Sequence, residues 1–385
     1  FFFKQKTAYE IPKRDWSSDV CSSDLADGSI VLGPGVGNIP MFVKHAKKVI
    51  VEVNTTIPLS MEGMHDIYIC AKPPYRTEIP IYHVGDRIGS PYLECGLDKI
   101  ACIVESDIVD HVRNLNPPDE NSIKIAGFLV DFLEHEQKYG RLPQEMLPIQ
   151  SGVGSIANAV LMGLSQSKYE NLKMYSEILQ DAVFSLIKTG KVSQASGCAF
   201  TPSPNVWQMY KENPDLYRKS IVLRPLDISN NPEIIRRLGV ISINTPLEFD
   251  IYGQANSTHV MGASMMNGIG GSGDYMRNGY LTIFCTPSTA KKGSISSVVP
   301  MVTHADHTEH DTMVFITEQG IADIRGLPPV KRAKLIIEKC AHPDYKAQLL
   351  EYLQQAQRKN AHMPVDLTHA FDMQAHYEKY GTMKI

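Results

Sequence analysis

The sequence predicts an α/β protein in which strands and helices alternate. From Ala26 onwards, short apolar runs rich in β-branched residues, such as "KKVIVEVN" and "KIACIVES", alternate with longer segments whose apolar residues recur at helical spacing. Clusters of glycine and proline separate the two kinds of segment. The 385 residues, of which 43% are hydrophobic and 21% charged, are enough for two layered domains.

The first part of the chain contains three predicted strands, "SIVLG", "KKVIVEVN" and "KIACIVES", with a helix near Pro40–Lys47. "NPPDE" (116–120) is a predicted linker, because two prolines precede an acidic helix start. The segment after it, "NSIKIAGFLVDFLEHEQKYG", has helical spacing and a C-terminal glycine. We therefore expect a first domain over residues 26–117 and a second over residues 118–385.

The second part begins with a predicted strand, glycine turn and helix in "EMLPIQSGVGSIANAVLMGL". A strand in "NLKMYSE" and a helix in "ILQDAVFSLIKTG" follow. Further strands are predicted in "KSIVLRPLDIS", "GVISINTPLEFDIYGQ", "YLTIFCTPS" and "TMVFITEQG", and an amphipathic helical tail from "PPVKRAKLIIEKC" to "YKAQLLEYLQQAQ". The turns "GPGVGNIP" and "SGVGSIAN" resemble each other, which would suit two related α/β halves.

Composition excludes several classes of function. A net charge of −4 gives no electrostatic footprint for nucleic acid. No apolar run approaches the roughly 18 residues that span a bilayer, so we expect no membrane role. The seven cysteines are scattered without a C-x-x-C pair, which is typical of free thiols in a reducing compartment. The expected location is cytoplasmic.

Residues 1–25 differ from the rest of the chain. They lack an amphipathic period, and their charged middle and the missing small-residue cleavage site argue against a signal peptide. The runs "KQKTAYE" and "DWSSDVCSSDL" resemble the translation of the two constant parts of a sequencing-library adapter. We therefore expect a non-native segment here, with the native start lost and Cys21 leaving the cysteine count. The alternative is a disordered tail.

A glycine turn over Gly152–Ala157 matches G-x-G-x-x-A between a predicted strand and helix. Such glycines let the backbone approach a phosphate or an acyl group, and the helix N-terminus offers free N–H donors. Glu177 follows Gly152 by 25 residues, where a dinucleotide-binding fold places its ribose-binding acid. An NAD-dependent oxidoreductase and a tight turn without a ligand therefore both remain open. Read alone, Glu177 is a capping charge in the first turn of a helix.

A second glycine-rich loop, "MNGIGGSGDYMRNG" (266–279), holds four glycines within six positions. Glycines this close indicate backbone approach to a ligand or positive φ angles, and such loops present N–H groups to anions or to an oxyanion. The alternative is a mobile surface loop. Lys291 and Lys292 follow in "TPSTAKKG" and could contact phosphates, although a lysine pair is usually only solvated.

The segment "THADHTEHD" (303–311) contains ligand chemistry for zinc or iron in its histidines and aspartates. Its H-x-x-H-x-x-H spacing lacks the catalytic glutamate of a zincin, and a hydrogen-bonded histidine network is the alternative. The candidate ligands are His304, Asp306, His307, His310 and Asp311.

Taken together and in order, six motifs resemble the acetyl-CoA hydrolase/transferase family. The resemblance covers residues 26–385 and is to the class I coenzyme A transferases, which include succinyl-CoA:acetate CoA-transferases. It implies two tandem open-sheet domains of the NagB/RpiA-like type with the active site in the cleft between them. Relatives begin well upstream, which implies an incomplete first domain here. The motifs are "LPIQSGVGSIANAVLMGL", "YSEILQDAV", "GQANSTHVMG", "NGIGGSGDYMRNG", "CTPSTAKKGSISSVVP" and "HADHTEHDTMVFITEQGIADIRGL".

The resemblance also implies roles for single residues. It makes Glu177 the nucleophile, and it implies no metal at "HADHTEHD" and no tightly bound cofactor, with the coenzyme A thioester as substrate. Expected partners are acyl-CoA and short carboxylic acids in a homodimer, without nucleic acid or membrane. An acetyl-CoA hydrolase, or a chain that binds coenzyme A without turnover, remain alternatives. The implied coenzyme A and oxyanion contacts are Gly152, Val153, Gly154, Ser155, Ile156, Gly268, Gly271 and Lys291.

Overall fold

The computed structural model describes residues 28–109 and 118–385, and these form an α/β structure with open sheets, which confirms the predicted class. Residues 1–25, and residues 116 and 117 of the predicted linker, lie outside the described residues. The α-helices of the described residues are α1 (Ile39–His45), α2 (Glu120–Lys138), α3 (Ser155–Gln166), α4 (Asp181–Lys188), α5 (Pro204–Glu212), α6 (Pro214–Ser220), α7 (Leu226–Ser229), α8 (Pro232–Leu238), α9 (Ser272–Asn278), α10 (Pro329–Cys340), α11 (Pro343–Gln357) and α12 (Asp372–Tyr380).

The strands are mostly short. Several of the longer ones coincide with apolar runs of the sequence, whereas the six-residue strand "VSQASG" (192–197) was not predicted. The strands are β1 (Ser29–Ile30), β2 (Val49–Asn54), β3 (Leu93–Glu94), β4 (Ile100–Ser106), β5 (Ile149–Ser151), β6 (Leu172–Tyr175), β7 (Ile178–Leu179), β8 (Val192–Gly197), β9 (Ala199–Phe200), β10 (Ile221–Leu223), β11 (Ile241–Asn244), β12 (Glu248–Asp250), β13 (Ala255–Asn256), β14 (His259–Val260), β15 (Ser264–Met265), β16 (Leu281–Cys285), β17 (Thr289–Ala290), β18 (Ile295–Ser296), β19 (Val298–Val299), β20 (Val314–Thr317) and β21 (Gly320–Asp323).

The chain divides into two compact units that are not contiguous in sequence. One consists of Phe1–Asn114 with Met174–Ile234, and the other of Leu115–Lys173 with Ile235–Ile385. This grouping places residues 174–234 with the first part of the chain, whereas the tandem domains predicted from sequence divide it at residues 117 and 118. The tandem division stays a prediction.

In the first unit, β10 runs parallel to β8, with Ile221 opposite Ala195 and Leu223 opposite Gly197. Strand β6 neighbours β8 on its other side. The short strands β7 and β9 also pair in parallel, with Ile178 opposite Ala199. Helix α4 buries one apolar face, which includes Phe184, in this unit. Strand β6 ends at Tyr175, two residues before Glu177.

The second unit is organised around four parallel strands in the spatial order β5, β11, β16, β20, with β21 antiparallel to β20. Every residue of β5, β11, β16 and β20 is buried, as expected for parallel strands covered on both faces. Because the strands are parallel, their carboxyl ends lie at one edge of the sheet. Ligands of open α/β sheets bind at that edge.

Two predicted elements are confirmed but are shorter than the segments that predicted them. "KSIVLRPLDIS" contains strand β10, but Leu226–Ser229 form helix α7 because Pro225 ends the extended run. "ILQDAVFSLIKTG" contains helix α4, but Ile178 and Leu179 form β7 and the helix begins at Asp181. None of the described helices is long and apolar enough to cross a membrane.

Candidate active site

Glu177 lies between two strands. It follows β6, precedes β7, and is partly exposed, while its neighbour Ser176 is buried. Helix α4 begins four residues later at Asp181, so the interpretation of Glu177 as a charge in the first turn of a helix is wrong. The physical reason is the pairing of β7 with β9, which keeps the chain extended past Glu177. The carboxylate is therefore presented from the end of a strand.

The backbone around Glu177 is held by the chain that leaves β8. The Cys198 N–H donates to the Glu177 carbonyl oxygen at 2.8 Å, and the Ser176 N–H donates to the Ser196 carbonyl oxygen at 2.9 Å. Between these two contacts stands Gly197. A Cβ atom there would lie 3.0 Å from the Glu177 carbonyl oxygen and 3.1 Å from that of Ser176. Glycine thus permits the close approach of the two segments.

The side chain of Glu177 is oriented by an amide that the sequence analysis did not select. Asn230 Nδ2 donates to Glu177 Oε2 at 2.9 Å. The buried Ser229 hydroxyl lies 3.0 Å from Asn230 Oδ1 and can donate to it, which favours the amide orientation with Nδ2 towards the carboxylate. Asn230 is 53 residues away in sequence, and no local motif marks it. Only the turn after Pro225 brings it to Glu177.

Cys198, whose N–H donates to the Glu177 carbonyl oxygen, is an alternative nucleophile beside Glu177. Its thiol is buried, and burial, together with the negative charge of Glu177, raises its pKa to about 12. The thiol therefore stays protonated at neutral pH and is a poor nucleophile. Glu177 is the better candidate for covalent chemistry at this point of the fold.

In the second unit, the turn over Gly152–Ile156 has the predicted strand–turn–helix geometry. Strand β5 ends at Ser151 and helix α3 begins at Ser155, with Gly154 at φ 130° as its N-cap residue. The side chain of Val153 is exposed. This turn stands at the carboxyl edge of the parallel strands, where a helix N-terminus favours negative charge.

The second glycine-rich loop is exposed from Ala263 to Gly270 and becomes buried at Gly271, the N-cap residue of α9. Gly268 has open space around its Cα, and Gly270 has a φ of 55°. The loop is tied down at its start, where Met266 N–H and Asn267 N–H donate to the Thr258 carbonyl oxygen at 2.8 and 3.2 Å. Gly270 thus has a positive φ, which is one of the two features that the glycine cluster predicted.

Lys291 and Lys292 are exposed at the turn between β17 and β18, and both have left-handed backbones with φ values of 49° and 56°. Two adjacent lysines in this region are strained, because Cβ crowds the following carbonyl oxygen. The hairpin follows β16, so it and the Gly152 turn belong to the same unit. Glu177 belongs to the other unit.

Glu318 follows β20 at the same edge of the parallel strands and was not selected from the sequence. Burial alone would raise the pKa of its carboxyl, but hydrogen bonds from Ser288 and Gln319 hold that pKa below its ordinary value. The Ser288 N–H donates to it at 2.7 Å, and the Ser288 hydroxyl donates as well. Glu318 is therefore a fixed negative charge that helps to shape this edge.

The histidines of residues 303–311 are dispersed. His304 stacks on His259 with 3.9 Å between ring centroids and donates to the Gly262 carbonyl oxygen at 2.7 Å. His307 is buried 3.3 Å from the Ser272 hydroxyl, whereas the His310 side chain is 82% exposed. Among residues 28–109 and 118–385, no three His, Cys, Asp or Glu side chains are grouped as a metal site. His304 and His307 contact Gly262 and Ser272, which lie in or beside the second glycine-rich loop.

The comparisons with known proteins match both parts of the chain to one family. The N-terminal domain model of acetyl-CoA hydrolase/transferase matches residues 15–116, and the C-terminal domain model matches residues 207–353. The first match begins inside residues 1–25, whose non-native origin stays a prediction.

Curated relatives cover nearly all of the chain. A succinyl-CoA:acetate CoA-transferase of Clostridium kluyveri is 52% identical over 97% of this chain and 70% of its own length. An acetyl-CoA hydrolase of Schizosaccharomyces pombe is 48% identical over 93% of this chain and 70% of its own length. A propanoyl-CoA:succinate CoA transferase of Escherichia coli is 48% identical over 93% and 72%.

Solved structures support the fold. RipA of Yersinia pestis is similar with a TM-score of 0.66 and 25% identity, over 86% of this chain and 68% of its own. A 4-hydroxybutyrate CoA-transferase of Porphyromonas gingivalis has a TM-score of 0.61 at 22% identity, over 86% and 73%. The second likeness concerns the fold alone.

Replacing Gly197 by alanine tests the close approach beneath Glu177. The new Cβ would press on two carbonyl oxygens of the backbone, so we expect the free energy of unfolding to fall by about 1–3 kcal/mol. Urea denaturation measures this loss. The control is Gly127→Ala in helix α2, where a Cβ meets nothing within 4 Å and alanine favours the helix. Equal stability of the two variants would contradict the account.

Burial lowers the pKa of His307 to about 4, against the opposing effect of the nearby Asp306 and Asp311 charges. The unfolded chain binds the proton near pH 6.5, so the contribution of His307 to stability is complete above that pH and is lost as pH falls towards 4. We expect His307→Asn to lose less stability than wild type between pH 7.5 and pH 5, measured by urea denaturation. The exposed His310, changed to asparagine, is the control and should keep the wild-type pH dependence. The same pH dependence in both variants would contradict this assignment.

Proposed function

We propose that this chain, which belongs to the acetyl-CoA hydrolase/transferase family, moves coenzyme A from a short-chain acyl-CoA such as succinyl-CoA to a carboxylic acid such as acetate. The observation that carries the proposal is the presentation of Glu177. Glu177 is partly exposed at the end of a strand, and backbone hydrogen bonds to Ser196 and Cys198 hold the chain there. One oxygen of its carboxylate accepts a hydrogen bond from Asn230. The substrate pair is that of the relative with 52% identity.

The proposed chemistry uses Glu177 as a covalent carrier. A carboxylate oxygen bonds to the thioester carbonyl carbon and the bond from that carbon to sulfur breaks, which gives an acyl-glutamyl anhydride and coenzyme A thiolate. The thiolate attacks the glutamyl carbonyl, releases the donor acid and leaves coenzyme A on Glu177 as a thioester. The acceptor carboxylate then repeats both steps in reverse. The thioester energy is kept, and the chemistry requires no tightly bound cofactor.

Two glycine-containing segments and one lysine are the proposed coenzyme A and oxyanion contacts. Backbone N–H groups of a glycine turn at a helix N-terminus suit phosphate or a developing oxyanion, and losing one oxyanion donor typically costs about 3 kcal/mol. A lysine at the exposed hairpin suits a phosphate group. These roles are proposals for Gly152, Val153, Gly154, Ser155, Ile156, Gly268, Gly271 and Lys291.

Hydrolysis is the alternative within the family, because several of the relatives are named acetyl-CoA hydrolases. Water that reaches the anhydride or the thioester would replace the acceptor acid, so the same Glu177 would serve both reactions. The dinucleotide alternative for the Gly152 turn gains no support from the family to which the chain belongs. A homodimer remains a prediction.

Kinetics with Glu177→Gln test the proposal. Glutamine keeps the size and the polar contacts of the side chain but cannot act as the nucleophile, so we expect transfer from succinyl-CoA to acetate to fall to background with an unchanged Tm. Wild type should give parallel double-reciprocal plots, because coenzyme A is carried by the protein between two half-reactions. Glu94→Gln, an exposed glutamate of the same unit, is the control. Retained transfer in Glu177→Gln would overturn the proposal.

Replacing Asn230 by alanine tests the orientation of the nucleophile. Glu177 Oε2 loses its amide donor and the carboxylate gains rotational freedom, so we expect kcat to fall about 10- to 100-fold with a small change in KM. Stability should fall by less than about 1.5 kcal/mol. The control is Asn213→Ala, which removes a helix cap in the same unit and should lower Tm without lowering kcat. An Asn230→Ala variant with wild-type kcat would contradict the role.

A further inference from the structure

One buried guanidinium joins several segments of the unit that contains Glu177. Arg224 follows β10 and has no exposed surface. Its Nε donates to the Ser196 hydroxyl at 2.8 Å, and its terminal nitrogens donate to the Asp66 carboxylate and to the carbonyl oxygens of Val84 and Asp86. Asp66 is also buried, and its second oxygen accepts from the N–H groups of Ile88 and Gly89 at 2.9 and 2.6 Å.

These contacts reach the backbone of the nucleophile through three consecutive residues. The Ser196 carbonyl oxygen accepts from Ser176 N–H, the Gly197 carbonyl oxygen accepts from Arg224 N–H at 2.8 Å, and Cys198 N–H donates to Glu177. Arg224 therefore makes two hydrogen bonds to residues 196–198. Its backbone N–H donates to the Gly197 carbonyl oxygen, and its side chain donates to the Ser196 hydroxyl. The same segment carries the backbone of Glu177.

Arg224 also begins the segment that ends at Asn230. Pro225 follows it directly, and helix α7 then leads to Asn230, whose amide donates to Glu177. The buried Tyr175 hydroxyl donates to the Ile228 carbonyl oxygen at 2.6 Å, which fixes α7 to the end of β6. The position of Arg224 thus bears on the nucleophile and on the amide that orients it.

The energetics favour a geometric role over a stabilising one. Burying an ion pair costs desolvation energy that its attraction barely offsets, and apolar replacements of such pairs often raise stability. A planar guanidinium with five donors, however, fixes the relative positions of its acceptors well. We therefore expect the Arg224–Asp66 ion pair to contribute more to the positions of the segments that it joins than to the free energy of unfolding.

We propose that Arg224 is a positioning residue for the reaction of Glu177: by clamping Ser196 and Asp66 it holds the carboxylate in the orientation from which it attacks the thioester. The inference rests on the proposed function of Glu177. A displacement of about 1 Å at a reacting group can lower a rate by roughly 100-fold, so a remote clamp of this kind can be visible in kcat.

The test uses Ser196→Ala, which removes one acceptor of Arg224 and leaves the ion pair intact. Its matched control is Ser242→Ala in the other unit, which removes an equally buried hydroxyl that donates to the Tyr275 carbonyl oxygen at 2.8 Å. We would measure Tm, KM, kcat and the single-turnover rate at which Glu177 acquires coenzyme A from succinyl-CoA. Arg224→Lys is a second variant, which keeps the charge and loses the planar fork.

We expect the Tm to fall by a similar amount in both serine variants. Only in Ser196→Ala should the single-turnover rate and kcat fall about tenfold, with KM unchanged. In folded Arg224→Lys, the single-turnover rate and kcat should fall further than in Ser196→Ala. A wild-type rate of acylation in Ser196→Ala would overturn the inference, as would an equal rate loss in Ser242→Ala. If wild type acquires no coenzyme A, the proposed function fails instead. Hydrogen exchange at the Ser176 and Cys198 amides then tests whether the contact between Arg224 and Ser196 holds the backbone around Glu177. Exchange rates that Ser196→Ala leaves unchanged would refute this positioning role.

Discussion

The arrangement around Glu177 depends on one backbone hydrogen bond, from Cys198 N–H to the Glu177 carbonyl oxygen. This contact, together with the pairing of β7 and β9, keeps the chain extended where the sequence alone favours a helix. A glycine at position 197 favours this contact, since a Cβ there would lie only 3.0 and 3.1 Å from the carbonyl oxygens of Glu177 and Ser176. A partly exposed carboxylate on a fixed backbone is the consequence, and fixed geometry is what covalent catalysis needs from a protein.

Much of the architecture could be predicted from the sequence because its signals are local. The buried parallel strands β16 (LTIFC) and β20 (VFIT) are rich in apolar residues, and the Gly152 turn between β5 and α3 follows from its glycines. The assignment of Ile178 and Leu179 to a helix failed for the opposite reason. Their pairing with Ala199 and Phe200 is a tertiary contact, and such contacts override the periodicity of a short segment.

The residues that support Glu177 could not be predicted for a related reason. Asn230 and Arg224 are 53 and 47 positions after Glu177, and each looks like an ordinary polar residue beside a proline turn. The histidines of residues 303–311 show the converse. Their clustering in sequence suggested a metal site, whereas the fold directs His304 and His307 to different neighbours beside the second glycine-rich loop. Spacing along a chain predicts a site only where one regular element presents its residues together.

The most direct measurement is a mass spectrum of the protein after incubation with succinyl-CoA, with a peptide map across residues 171–183. The account predicts coenzyme A attached to Glu177 as a thioester, absent from Glu177→Ala and removed when acetate is added. The contradicting result would be transfer of coenzyme A to acetate by wild type without any modification of Glu177, together with the same transfer by Glu177→Ala.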